Sequence, residues 1–117
     1  MLTTDVERIS LRTEHPFTIA RETIHEIENV IVRVEDGDGH VGIGGAGPSR
    51  HYGETVETLV AVLPALLEVV EAVGDPTQRQ RIERRMEQVV RGHPAAKAAV
   101  SIALHDLVAK RAGRPLC

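Results

Sequence analysis

The spacing of apolar and polar positions changes once along the chain, near residue 53. Before that point the period is two. Ile9 and Leu11 alternate with Arg8, Ser10 and Arg12, which predicts a half-buried strand. Val30, Val32 and Val34 alternate with Ile31, Arg33 and Glu35, a second and stronger strand, and Val41 and Ile43 predict a short third. Asp36-Gly37-Asp38-Gly39 separates the last two; glycines tolerate positive φ, so this segment reads as a tight hairpin connection. The expectation is a three-stranded antiparallel meander over about residues 5–47, with one apolar face that must be covered.

After residue 53 the period becomes helical. Val56, Leu59, Val60, Leu63, Leu67 and Val70 recur at the spacing of one helix face, predicting a helix over about 54–73. Pro64 lies inside it and predicts a kink or restart, because proline removes an N–H and crowds the preceding turn. Gly74 reads as the stop. A second helix is predicted over about 76–91, with Asp75 as N-cap, Pro76 first and Gln78 completing a capping box. Its stripe is Ile82, Met86, Val89 and Val90, and Gly92 ends it. A third runs over about 94–112, opened by Pro94 and ended by Gly113. Ala96, Ala99, Val100, Ala103, Leu104, Leu107 and Val108 share one face, and the small residues among them allow a neighbouring backbone to come close. Asp106 and Lys110 form an i, i+4 pair outside that face. The predicted fold class is α+β, a meander followed by a three-helix bundle, within one domain over 1–113.

Composition narrows the function classes. The chain has 117 residues, 42% apolar, with Phe17 and Tyr52 as its only aromatics. The core must therefore be aliphatic, and a base-stacking nucleic-acid surface is almost excluded. A net charge of −3 leaves no polybasic footprint for nucleic acid or anionic lipid. There is no apolar run of membrane-helix length and no signal-peptide pattern at Met1–Ser10. The single cysteine, Cys117, forms no internal disulfide, in keeping with a cytoplasmic protein.

Local motifs carry little chemistry. Residues 42–47 spell G-x-G-x-x-G, but Pro48 follows at once and the helical pattern starts several residues later. A dinucleotide site needs the helix to begin within the motif, so these glycines read instead as a strand end that another backbone approaches. Asp36, Asp38 and His40 hint at a metal loop, yet Gly47 stands where a calcium loop needs its final glutamate. The six histidines show no ligand spacing. Lys97 and Lys110 read as a solvated helix face, and Cys117 has no identifiable base. No catalytic constellation and no metal site is expected in this chain.

The order of short segments is more telling. Pro16-Phe17-Thr18-Ile19-Ala20-Arg21 with Thr23 comes first, then Glu28-Asn29-Val30-Ile31-Val32-Arg33-Val34, then the glycine-rich run to Gly47-Pro48-Ser49. Tyr52-Gly53-Glu54-Thr55, Gly74-Asp75-Pro76 and Pro94-Ala95-Ala96-Lys97-Ala98-Ala99 follow, the last leading into Ala103-Leu104-His105-Asp106-Leu107. This series resembles the N-terminal capping domain of the enolase superfamily, in its muconate-lactonizing subgroup and most nearly the dipeptide epimerases of the L-Ala-D/L-Glu type. The resemblance covers essentially the whole chain.

The resemblance implies a division of labour. In that family a β/α barrel follows the capping domain. Barrel lysines move the α-proton, and barrel carboxylates hold Mg²⁺, which stabilises the enediolate. A barrel needs about 200 residues or more, so residues 114–117 would be the start of its connector, with the barrel as a partner outside this chain. Two capping loops would close over a small dipeptide-like substrate, at roughly 16–23 and 47–53. By position Phe17 and Ile19 would give apolar wall, Arg21 a carboxylate partner, Thr23 a further contact, and Tyr52 would come from the second loop. Subgroup members often carry Gly-Glu where this chain has Gly44-Gly45. Muconate cycloisomerases, o-succinylbenzoate synthases and N-acylamino acid racemases share the architecture. A free-standing binding or oligomerisation module is the other expectation, since a capping fold without its barrel would expose apolar surface and favour a homo-oligomer.

Overall fold

The computed structural model describes residues 2–14, 24–46 and 55–113. Its elements follow the order β1 (Thr3–Glu14), β2 (Ile24–Glu35), β3 (Val41–Ala46), α1 (Val56–Val73), α2 (Arg79–Val89) and α3 (Pro94–Arg111). The three strands form one antiparallel sheet in the order β1-β2-β3. This is the α+β meander-then-helices architecture that the pattern predicts.

One face of the sheet is the floor of the core. Val30, Val32 and Val34 are fully buried there, and α1 and α3 supply Leu59, Leu63, Leu66, Leu104 and Leu107 from above. Burying each such side chain stabilises by about 1.5–3 kcal/mol, so the aliphatic core suffices without an aromatic residue. Directly opposed residues of an antiparallel pair share a face. Val6 lies opposite Val32 and packs against this core, as does buried Leu2. Ile9 lies opposite Asn29, on the other face. The inward phase of β1 is therefore the reverse of the expected one, because the all-valine row of β2 sets the register and β1 must follow it.

Helix ends also show where local signals win or lose. At the start of α1 the Thr58 N–H donates to Thr55 Oγ1 at 3.1 Å, while the Thr55 N–H donates to Thr58 Oγ1 at 2.7 Å. Gly74 ends the helix at φ +73°, and its N–H donates to the Val70 carbonyl at 3.0 Å. The helix runs through Pro64 without a restart, and the proline lies on the exposed side. Asp75 does not cap α2. Its Oδ1 accepts the Thr77 N–H at 2.9 Å and the Thr77 hydroxyl at 2.7 Å, closing a turn instead. The helix then starts at Arg79, behind a Gln78 that makes no side-chain cap. It buries only Ile82 and Met86; Val89 is 47% exposed. Gly92 lies beyond its end, in the turn to α3, followed by His93 at φ +52°. Among the described residues no helix is long and apolar enough to cross a membrane.

Candidate functional site

The sheet has two unlike ends. At one end β1 and β2 pair to their limits, with Glu14 opposite Ile24, so residues 15–23 connect the tip of this ribbon. The β3 pairing stops at Ala46 opposite Val30. Residues 24–29 of β2 therefore extend past β3, which at 3.3 Å per residue carries the tip on the order of 20 Å further. Residues 47–54 link β3 to α1 at this same end. Phe17, Ile19, Arg21, Thr23 and Tyr52 all lie outside the described residues. The described scaffold roots their two segments at one end of the sheet.

The opposite end is held by Asp36. Its Oδ1 accepts the N–H groups of Asp38 and His40, each at 2.9 Å. Its Oδ2 meets His40 Nδ1 at 3.1 Å and Arg111 Nε at 3.5 Å, which ties the hairpin turn to the last turn of α3. Burial works against the charge on this carboxyl, but the His40 and Asp38 N–H groups and the His40 ring outweigh it, so its pKa lies below the ordinary value. The Asp36–His40 pair is thus part of a turn and not of a metal loop. Among the described residues no three His, Cys, Asp or Glu side chains are grouped to hold a metal ion. The described part of this chain accordingly does not fit a Mg²⁺ site.

Between the two ends, α3 is pressed onto β3. A Cβ built on Gly42 would stand 2.1 Å from the Ala103 carbonyl oxygen, and one on Gly44 would stand 2.0 Å from that of Ala99. The glycines of the G-x-G run thus make room for a helix backbone, and the alanines of α3 are the matching half of that contact. Gly45 differs. A Cβ there would meet Ile31 Cδ1 at 3.5 Å, an ordinary contact, on the face away from the helices.

Two side chains of α3 clasp the outer edge of β3. The Ile43 N–H donates to Asp106 Oδ2 at 2.9 Å, and Lys110 Nζ donates to the Val41 carbonyl at 2.8 Å. Asp106 and Lys110 also pair with each other at 2.9 Å. Partial burial opposes the charge on Asp106, while the Lys110 ammonium and the Ile43 N–H overcome it and hold the carboxyl below its usual range. An exposed edge strand is a template for unwanted pairing, and this clasp occupies it. Neither lysine is simply solvated. Lys97 is only 13% exposed and pairs with Glu87 of α2 at 2.6 Å. The i, i+4 spacing announced the Asp106–Lys110 pair; nothing local announced its strand partners.

With this geometry in hand, residues 3–117 match the family model for the N-terminal domain of mandelate racemase / muconate lactonizing enzyme. The chain belongs to that family. Membership in the mandelate racemase / muconate lactonizing group places it in the enolase superfamily and agrees with its meander-then-helices fold. An L-Lys-D/L-Arg epimerase from Methylococcus capsulatus is 40% identical over 92% of this chain and 32% of its own length. An L-Ala-D/L-Glu epimerase from Bacteroides thetaiotaomicron is 37% identical over 90% of this chain and 27% of its own. A solved dipeptide epimerase from Methylococcus capsulatus, complexed with Mg and the dipeptide L-Arg-D-Lys, superposes with a TM-score of 0.65 at 35% identity, over 97% of this chain and 32% of that one. The chain thus spans about a third or less of the length of the relatives it matches.

Proposed function

We propose that this chain is the substrate-enclosing N-terminal domain of a Mg²⁺-dependent, cytoplasmic dipeptide epimerase. In this reading it closes over the mouth of a β/α barrel that transfers the α-proton of an Ala-Glu-type dipeptide. The observation that carries the reading is the near-complete alignment with two relatives that bear the name epimerase, at 40% and 37% identity. The scaffold supports it, since both candidate loop segments spring from one end of the sheet.

The contribution of this chain is recognition and enclosure. Phe17 and Ile19 form apolar wall, Arg21 pairs with a substrate carboxylate, Thr23 adds a polar contact, and Tyr52 approaches from the second segment. Closing such loops expels water and strengthens every charge interaction inside. Mg²⁺ and the proton-transferring groups belong to the barrel in this reading.

The test is α-carbon exchange in deuterated water by the full-length polypeptide that carries this domain, with Mg²⁺ and a panel including Ala-Glu and Lys-Arg dipeptides. Exchange with Ala-Glu supports the reading. Exchange with Lys-Arg alone would keep the reaction and replace the substrate class. No exchange with any dipeptide would sink the epimerase assignment and direct attention to cycloisomerase or N-acylamino acid racemase chemistry. In the active protein, Arg21→Ala is expected to raise KM for Ala-Glu about tenfold or more, the scale of one charge-assisted contact, without lowering the thermal midpoint.

A further inference from the structure

We draw no further inference here: the strongest candidate, the groove between strand β1 and helix α1 lined by Asp5, Val6, Leu67, Glu68 and Glu71, carries nothing because nothing in the structure shows what covers it.

Discussion

The two halves of the sheet do different work. In the half that includes residues 30–35 of β2, three strands lie side by side, three inward valines are fully buried, and α3 rests on β3 at backbone contact. Among the described residues, the other half has only β1 and β2, paired with each other. The first half converts backbone into core. The second extends past β3 as a two-stranded ribbon whose last described pair is Glu14 and Ile24. Under the proposed enclosing role, the packed length of these strands supplies stability and the ribbon supports recognition.

The sharpest way to break that contrast is to attack the packed half at its tightest point. Gly44→Val is expected to destabilise by about 3 kcal/mol or more, because the new side chain meets main-chain atoms of α3 that cannot rotate away. Urea denaturation followed by circular dichroism measures it. A loss under about 1 kcal/mol would mean that α3 is free to lift off the sheet.

Hydrogen exchange compares the halves directly. Amides of residues 30–35 that bond within the sheet are expected to exchange only on global unfolding. Ribbon amides beyond β3 should exchange at least about tenfold faster, through local opening. Equal protection along all of β2 would show that the ribbon and the packed half open as one unit.

A smaller effect is expected at the β3 edge. Asp106→Ala removes the acceptor of the Ile43 N–H and the partner of Lys110, at a cost of about 1 kcal/mol in the same urea titration. No change at all would mean that solvent replaces the clasp without loss.

The Asp36 turn adds a pH dependence. Its carboxyl has a folded-state pKa below the unfolded value of 3.8, so its contribution is complete above that value and is lost as pH falls through the depressed folded one. Stability should decline on acidification in that window, and Asp36→Asn should flatten the decline. An unchanged acid slope in the variant would assign it to other carboxylates such as Asp75, which the Thr77 hydroxyl and N–H also hold low.

The smallest effect is the control for the first. Gly45→Ala, one residue from Gly44, is expected to shift stability by no more than about 0.5 kcal/mol, because its Cβ faces ordinary contact. A large loss there would show that strand conformation, and not α3, makes glycine necessary in β3.

Much of the fold was legible because it rests on repeating local patterns. The valine alternation of β2 buries what its spacing says it buries, and the α3 face does so at Ala96, Ala99, Val100, Ala103, Leu104 and Leu107, while Val108 at its end is only half-buried. Reading failed where a distant partner outweighed a near one. Ile9 looked like an inward residue from its neighbours, but register with β2 places it on the other face. Asp75 looked like a cap, but Thr77 offers two donors nearer than the helix start. Lys97 looked solvated until Glu87 of α2 met it. The candidate recognition residues Phe17, Ile19, Arg21, Thr23 and Tyr52 came from ordered segments resembling a family, since no local spacing rule marks a substrate-facing loop.

Taken alone, the order of residues specified the period of each element, the α+β class and the aliphatic character of the core, because these follow from neighbours along the chain. Three-dimensional packing chose the phase of β1, the use of Gly42 and Gly44 as a seat for α3, and the role of Asp106 and Lys110 as a clasp on β3. Each of these joins groups far apart in sequence, and the free energy that selects them exists only once the helices lie on the sheet.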